Sequence, residues 1–400
     1  MDNGQVIFVW NALPGETVRF RIVKQKRSYI EAIAEEIIIR SPEREIPQDD
    51  IFLSTAPWQI LSSEGENRAR LAIVEELMRS AKITIPAISY HDSIKKLHYR
   101  NKMEYGFWGD DHGLHLALHG RATHLKQVVT GSSLAMPAID TAAHALLAEL
   151  MRSGVRAADL KSVVIRASRQ DKVAMSLFTK RSDFAKLHLP DKVQGLNVYY
   201  SDHKSPASVA TKLLVTLGDT TLSDELMGRG FWYGPDSFFQ VNLDVFEQVL
   251  QKIKGSIDAT DLVVDMYSGV GTIGLSMDSA EVELVEINDG SSSYAARNAE
   301  NLNIKAKITV ASSETVLDLI PSRGCIIFDP PRAGLHHKII DRLLSQRPQR
   351  IVYLSCNPAT LARDMGLLKA EYNIDSLDVY NFFPKTPHIE SLVILSPKGN

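Results

Sequence analysis

The chain contains 400 residues, of which 44% are hydrophobic and 23% are charged, and its formal net charge is −3 at pH 7. Such values are typical of a globular protein with two or three domains. No apolar run approaches the roughly 20 residues that cross a bilayer, and the first residues, MDNG, do not resemble a secretion signal. We therefore expect a cytoplasmic protein. The net charge does not indicate a nucleic-acid-binding protein, although it says little about basic residues that are clustered locally.

The cysteine content excludes two further classes of protein. Cys325 and Cys356 are the only cysteines, so one disulfide is the most that could form, and a reducing compartment disfavours even that bond. A disulfide framework and a metal site built from cysteines alone are both excluded.

The N-terminal segment, residues 1–58, has the pattern of a small β-barrel. Residues 4–40 alternate in the manner of half-buried strands around a Pro-Gly-Glu turn, which predicts about five strands in an OB-like arrangement. Basic side chains in this stretch either contact a phosphate backbone or belong to a solvated hairpin. They are Arg21, Lys24, Lys26 and Arg27. Residues 41–50, which are rich in Pro, Ser, Glu and Asp, predict a linker.

The next segment, residues 59–225, mixes helical and strand-like patterns and predicts an α+β middle domain. Helical composition covers residues 67–81 and 139–153, whereas KSVVIRAS and LNVYYSD are typical of strands.

From residue 226 the pattern changes to strands that alternate with helices. The strand-like segments are DLVVDMY, VELVEI, AKITVAS, GCIIFDPP, RIVYLSC and SLVIL. This alternation predicts a doubly wound, Rossmann-like α/β sheet over residues 226–400. Ligands of such sheets bind at the carboxyl ends of the parallel strands, and the candidate motifs fall at such ends.

The first strand of this domain ends in DMYSGVGTIGL, which contains a GxGxxG pattern leading into a short helix, and the second strand ends in Glu286. Glycines allow the backbone to approach a ligand closely, and an acid at the second strand is placed to contact ribose hydroxyls. The pattern fits a dinucleotide, S-adenosylmethionine, or a tight turn with no ligand. Asp265 and Tyr267, which precede the glycines, favour S-adenosylmethionine.

The fourth and fifth strands end in FDPPRAGL and in YLSCNP. The two prolines stiffen the loop that carries Asp329, and Arg332 takes the place where amino-group methyltransferases carry an aromatic residue. Cys356 stands before a proline turn and a helix, whose N-terminus would favour the thiolate, so we expect a nucleophile there. Cys325 lies inside an apolar strand and is expected to be an inert buried residue.

The last segment, FFPKTPHIESLVIL, carries Glu390 just before the final strand. A carboxyl group beside aromatic residues and prolines can have a raised pKa and act as a base. A surface glutamate at the start of a strand is the commoner case.

Taken in order, these motifs resemble the RNA 5-methyluridine methyltransferase family, which comprises the tRNA and ribosomal RNA uracil-5-methyltransferases. The motifs that carry the resemblance are HYRNKMEY, SFFQVN, DMYSGVGTIGL, VEI, ARNAENLNI, FDPPRAGL, YLSCNPATLARD and FFPKTPHIE. The stretch GQVIFVWNALPGETVRFRI also resembles a TRAM domain, the small RNA-binding barrel of the ribosomal branch.

The resemblance implies a role for each matching residue. Cys356 would be the nucleophile and Glu390 the base. The contacts to the methyl donor S-adenosylmethionine would be Gln240, Tyr267, Glu286 and Asp329. The implied substrate is RNA, with 23S ribosomal RNA favoured by the barrel and tRNA as the alternative.

Members of the ribosomal branch often carry four cysteines that hold an iron-sulfur cluster. The corresponding regions here, PQDDIFLSTAPWQIL and TGSSLAM, contain no cysteine, so we expect no cluster.

Two other classes of function stay open. A nicotinamide oxidoreductase would use GVGTIG but leave Cys356 and Glu390 unexplained, and a non-catalytic RNA-binding factor would bind RNA without transferring a methyl group.

Overall fold

The computed structural model describes residues 5–121, 125–206, 208–258 and 262–399, so the MDNG stretch lies outside the described residues. The helices are α1 (Phe52–Thr55), α2 (Ser63–Ser80), α3 (Pro137–Arg152), α4 (Leu243–Lys254), α5 (Asp289–Asn301), α6 (His337–Gln346) and α7 (Pro358–Leu368). The strands are β1 (Val6–Trp10), β2 (Thr17–Gln25), β3 (Tyr29–Ile39), β4 (Ser89–His91), β5 (Lys102–Asp110), β6 (Gly113–His119), β7 (Lys126–Val129), β8 (Leu160–Ala167), β9 (Val173–Thr179), β10 (Gly195–Tyr200), β11 (Lys212–Gly218), β12 (Leu222–Leu226), β13 (Arg229–Tyr233), β14 (Leu262–Met266), β15 (Glu281–Glu286), β16 (Ala306–Val310), β17 (Cys325–Phe328), β18 (Arg350–Ser355), β19 (Tyr372–Tyr380) and β20 (Glu390–Pro397).

The N-terminal unit is a sheet of three strands in the order β1-β3-β2 among the described residues. The predicted count of about five strands was wrong because β2 and β3 are long, with nine and eleven residues. Their pairing shifts register at three places. Such irregularities bend a strand and increase its twist, so two bent strands occupy the sequence for which more strands were predicted.

The middle part of the chain forms a seven-stranded sheet in the order β11-β10-β9-β8-β5-β6-β7. Helix α3 packs on one face of it, where Tyr105, Ile139 and Ile165 are buried in one cluster. Because side chains alternate along a strand, the residues next to these on β5 and β8 point to the opposite face. That opposite face is turned toward the C-terminal part of the chain, since Arg166 of β8 donates to the backbone carbonyls of Ser237 and Phe239.

The C-terminal part contains an eight-stranded sheet in the order β16-β15-β14-β17-β18-β20-β19-β4. Strands β14 to β18 are parallel, and β20 runs antiparallel to β18 and β19. The chain order reverses at β14, because β15 and β16 lie on one side of it and β17 on the other. The predicted Rossmann-like sheet is confirmed, and this reversal is the switch point where such sheets bind ligands.

Two elements of the predicted middle domain, α2 and β4, lie on the C-terminal sheet. Strand β4 pairs with β19, and Val74 and Met78 of α2 are buried in the same cluster as residues of β17 and β18. Helix α2 begins after Ser62, whose side chain accepts a hydrogen bond from the Gly65 backbone N–H (3.1 Å). The chain therefore contributes to this sheet well before residue 226.

Cys325 is fully buried in β17, as its place in an apolar strand predicted. Among the described residues, no helix combines the length and apolarity that a membrane span requires.

Candidate functional site

A cavity of about 640 Å³ lies at the carboxyl ends of the parallel strands and opens against the middle sheet. All six residues that the sequence singled out line this one cavity: Gln240, Tyr267, Glu286, Asp329, Cys356 and Glu390. Strands β14, β15, β17 and β18 end there, and β20, which runs the other way, begins there. Residues far apart in sequence therefore meet because of the strand order.

The glycine-rich loop after β14 adopts a backbone that brings main-chain N–H groups to the cavity. Tyr267 and Gly269 both have positive φ angles, +67° and +57°. A non-glycine residue in this region is uncommon and is often found at functional sites. The Gly269 N–H donates to Glu286 (2.9 Å), which fixes the acid at the end of β15. The short helix predicted after the glycines is a single 3₁₀ turn, Gly274–Ser276.

Asp265 is a buried acid directly behind this loop. Its Oδ2 atom accepts a hydrogen bond from the Gly274 N–H (2.8 Å), whereas its Oδ1 atom is buried and has no hydrogen-bond partner. Burial raises the pKa of Asp265 to about 8. The carboxyl group is therefore largely protonated at neutral pH.

Asp329 follows β17 and contacts Gln240, whose Nε2 donates to Asp329 Oδ2 (3.2 Å). Burial raises the pKa of Asp329 to about 7, and the bond from Gln240 acts in the opposite direction. The backbone of Gln240 is itself held by Asn101, which donates to its carbonyl (3.0 Å). A residue of the middle sheet thus fixes one wall of the cavity.

Cys356 stands between β18 and α7, as predicted, and Asn357 caps the helix by accepting from the Ala359 N–H (3.2 Å). The predicted effect on the thiol was wrong in sign. Burial, together with the charges of Glu390 and Asp329, raises the pKa of the Cys356 thiol to about 11. Desolvation and neighbouring acids outweigh the helix N-terminus in this position.

Glu390 is a buried residue with 3% exposure, so the alternative of a surface glutamate was wrong. Burial and the charge of Asp329 raise its pKa well above the ordinary range, while Arg332 acts in the opposite direction. Strands β18 and β20 pair Ser355 with Ser391. Cys356 directly follows Ser355, and Glu390 directly precedes Ser391, so both stand at the same end of this strand pair.

Arg332 and His388 form a pair beside the thiol. Arg332 Nη2 lies 2.9 Å from His388 Nδ1. Burial and the charge of Arg332 lower the pKa of His388 to about 4. The histidine is therefore neutral at pH 7, and Arg332 is the cation whose charge favours the Cys356 thiolate.

The chain is similar to known proteins over nearly its full length. An uncharacterized RNA methyltransferase of Enterococcus faecalis is 28% identical over 98% of this chain and 92% of its own length. One from Bacteroides thetaiotaomicron is 29% identical over 98% of this chain and 97% of its own length. A model of the tRNA (uracil-5-)-methyltransferase family matches residues 317–398, which contain Asp329, Cys356 and Glu390. The chain is therefore similar to this family in its C-terminal part and to RNA methyltransferases over nearly its whole length.

The fold of the whole chain has a counterpart among solved structures. The crystal structure of Pyrococcus abyssi tRNA (uracil-54, C5)-methyltransferase in complex with S-adenosyl-L-homocysteine superimposes with a TM-score of 0.78 at 24% identity. It covers 98% of this chain and 95% of the archaeal chain. The two chains thus share their fold over nearly the whole length, including the N-terminal sheet and the middle sheet.

A buried ion pair that the sequence did not reveal supports the loop before Glu390. Arg70 and Glu66 of α2 are completely buried and in contact (2.7 Å). Arg70 donates to the carbonyls of Phe383 (3.0 Å) and Thr386 (2.8 Å), and also to that of His388. A planar guanidinium group suits such convergent acceptors. The helix at residues 63–80 therefore fixes the segment that carries a wall of the cavity.

A basic wall of the cavity comes from the middle sheet and consists of Arg100, Lys102 and Arg166. The motif HYRNKMEY contains the first two, so the family resemblance pointed to the segment but not to the residues. Arg166 stands in an apolar strand that gave no such signal. Within the described residues, no group of three or more His, Cys, Asp and Glu side chains is arranged to hold a metal ion.

Proposed function

We propose that this protein methylates C5 of uridine in RNA with S-adenosylmethionine as the methyl donor and Cys356 as the covalent nucleophile. The observation that carries the proposal is the single cavity in which a half-buried cysteine, a buried glutamate and the acids of β15 and β17 meet. Similarity to the tRNA (uracil-5-)-methyltransferase family over residues 317–398 supports the reaction class.

The acidic side of the cavity fits a cationic cofactor. Asp329 is buried with Gln240 as its hydrogen-bond partner, and Glu286 lines the cavity beside Gly269. A sulfonium cation next to Asp329 would compensate for the burial of that carboxyl group. The positive φ angle of Gly269 (+57°) favours glycine in this wall, whereas an added methyl group would make only an ordinary contact with the Phe238 carbonyl (3.6 Å). When bound, S-adenosylmethionine supplies an electrophilic methyl group.

The main chemical difficulty of the reaction is that C5 of uracil is a weak carbon nucleophile. Cys356 can overcome it by activating C5. Addition of the thiolate to C6 places negative charge on C5 and O4 and allows C5 to accept an electrophile. The thiol must first lose its proton, and with a pKa of about 11 it resists this in its buried setting. Arg332 acts in the opposite direction, because its positive charge stabilises the thiolate and lowers the pKa of the thiol.

Glu390 completes the reaction. Once C5 carries the methyl group, its remaining proton must leave before the ring can regain its double bond. The Glu390 carboxylate takes that proton, the C5–C6 double bond forms again, and the C6–S bond breaks to release the Cys356 thiolate. The raised pKa of Glu390 makes it a stronger base than an exposed glutamate.

The favoured substrate is 23S ribosomal RNA, because the N-terminal sequence GQVIFVWNALPGETVRFRI resembles a TRAM domain, the RNA-binding barrel of the ribosomal branch. Lys26 and Arg27 form no ion pair among the described residues and are exposed, whereas Arg21 and Lys24 pair with glutamates of β3. Transfer RNA is the second candidate, and the observation that favours it is the likeness of the whole fold to the Pyrococcus abyssi enzyme.

Mass spectrometry of 23S ribosomal RNA and tRNA from cells with and without the gene tests both candidates. We expect 5-methyluridine to disappear from ribosomal RNA in the deletion strain and to return with the wild-type gene but not with Cys356→Ala. Loss from tRNA alone would select the second candidate. Unchanged 5-methyluridine in both RNAs would contradict the proposed function.

A further inference from the structure

A half-buried cation and a fully buried one lie side by side on neighbouring strands of the middle sheet, at the wall of the cavity. Lys102 of β5 and Arg166 of β8 are directly paired in the antiparallel ladder. Like charges placed opposite each other destabilise a sheet, and burial increases the cost. A fold that keeps such a pair in a cavity points to an anion that binds there.

Neither Lys102 nor Arg166 forms a salt bridge with a described carboxylate, although Asp224 and Asp236 act on Arg166 at longer range. Lys102 Nζ has no hydrogen bond or salt bridge within the described part of the chain, although Asp236 and Glu104 act on it at longer range. Burial and the charge of Arg166 lower the pKa of Lys102 to about 8. Arg166 Nε is buried without a partner, while its two terminal nitrogens donate to backbone carbonyls.

The cavity is divided by charge. Glu286, Asp329 and Glu390 lie at the ends of the C-terminal strands, whereas Lys102 and Arg166 lie on the middle sheet. A cationic cofactor fits the acidic side of the cavity. The basic wall is then available to an anionic group. A nucleotide presents such a group in its phosphodiester linkage, and phosphates are the usual partners of Lys and Arg in RNA complexes.

We propose that Lys102 and Arg166 bind a phosphodiester group of the RNA beside the reacting uridine. This inference rests on the proposed function, since it assigns the RNA to the same cavity as Cys356. The contact would hold the nucleotide by its backbone and would not depend on the identity of the neighbouring bases.

The test uses Lys102→Met, which removes one cation but keeps an unbranched side chain. Binding of a fluorescent oligouridylate to the full chain is measured by anisotropy over a range of salt concentrations. We expect the affinity to fall about tenfold and the slope of log Kd against log salt to fall by about 0.7, the value for one lost single-strand phosphate contact. Lys102→Arg, which keeps the charge, should restore the slope.

The matched control is Lys307→Met, which makes the same change of charge on β16, where Lys307 pairs with Glu283 (3.1 Å). Its affinity and slope should equal those of the wild type. Calorimetric titration with S-adenosylmethionine should give the same affinity for the wild type and Lys102→Met.

Three results would overturn the inference. The first is a salt slope for Lys102→Met that equals that of the wild type, and the second is no binding of oligouridylate by the wild type. The third is a tenfold loss of S-adenosylmethionine affinity in Lys102→Met while its salt slope for oligouridylate stays unchanged. The last result would assign the basic wall to the cofactor carboxylate. If the slope changes as expected but the wild type methylates no RNA, the proposed reaction fails and the phosphodiester site stands.

Discussion

Cys356 and Glu390 stand at the same end of the C-terminal sheet, because they adjoin Ser355 and Ser391, which are paired between β18 and β20. Burial raises the pKa of both side chains, and the charge of Glu390 adds to the effect on the thiol. At pH 7 the Cys356 thiol is therefore protonated, and burial also favours the protonated form of Glu390. A reaction that needs a thiolate and later a carboxylate must remove these protons within the cavity, where Arg332 is the adjacent cation.

Cys356→Ala should abolish methyl transfer and leave S-adenosylmethionine binding intact. The thiol supplies the bond to C6, whereas the proposed cofactor contacts lie at the ends of β14, β15 and β17. Transfer of a labelled methyl group to RNA measures the first property, and calorimetry measures the second. Turnover near that of the wild type would remove Cys356 from the mechanism.

Cys325→Ser provides the matched control for the cysteines. Cys325 is fully buried at the start of β17 and does not line the cavity. A hydroxyl group in that apolar setting should lower the free energy of unfolding by roughly 1 to 3 kcal/mol. Urea denaturation measures the loss, and methyl transfer by the folded variant should match the wild type. A folded but inactive variant would show that the catalytic cysteine was assigned wrongly.

Asp265→Asn should reduce the dependence of stability on pH. The folded state holds the Asp265 proton up to about pH 8, whereas an unfolded aspartate loses it near about pH 3.9. Between these values a rise in pH favours the unfolded state, by on the order of 1 kcal/mol per pH unit. Asparagine cannot ionise, so the variant should gain stability relative to the wild type from pH 5 to 8.

Urea unfolding at several pH values measures that difference. The control is Asp341→Asn, which alters an exposed residue of α6 and should leave the pH dependence parallel to that of the wild type. A constant difference between Asp265→Asn and wild type over this range would show that Asp265 is ionised in the folded protein.

Arg70→Met should destabilise the protein by about 3 to 5 kcal/mol, because it leaves Glu66 buried without its cation. It also frees three carbonyls of the loop that precedes Glu390. At a temperature where the variant is folded, kcat should fall while the affinity for S-adenosylmethionine is unchanged. Arg79→Met on the same helix is the control, since Arg79 is exposed and pairs with Glu76 at the surface. Equal stabilities of the two variants would contradict the role of Arg70.

Strands β17 and β18, which lead to Asp329 and Cys356, were predictable from sequence because they are buried on both faces and consist of nearly continuous apolar runs. Strand β19 was missed, since its sequence YNIDSLDVY alternates with polar residues and resembles a loop. Strand β4 was missed because it has three residues, too few for a pattern. Helix α2 was predicted, but periodicity gives no information on which sheet a helix packs against.

The residues of the candidate site were likewise predictable from the sequence only in part. Cys356 and Asp329 follow apolar strands, so their convergence follows from the rule on carboxyl ends of parallel strands. The pKa of Cys356 was predicted with the wrong sign because burial and acids from other strands depend on tertiary contacts. Lys102 and Arg166 are separated by 63 intervening residues and meet only through the pairing of β5 with β8.

Glu390→Gln should stall the enzyme with RNA bound covalently to Cys356. Thiolate addition and methylation of C5 both precede proton removal, so a variant without the base can complete these two steps but not the third. Glutamine has nearly the same shape as a protonated glutamate, the form of Glu390 that burial and the charge of Asp329 favour by raising its pKa. The fold should therefore be preserved.

The expected product is a methylated, saturated uracil ring joined to the Cys356 sulfur through C6. It should migrate as a slow, nuclease-sensitive band on a denaturing gel and retain label from the methyl group of S-adenosylmethionine. The double variant Cys356→Ala, Glu390→Gln is the control and should form no adduct. Because slow release to water can sustain some turnover, the quantity to compare is adduct accumulation relative to the wild type. Normal turnover of Glu390→Gln without a labelled adduct would assign proton removal to another group, and His388, neutral and in the same cavity, would be the next residue to replace.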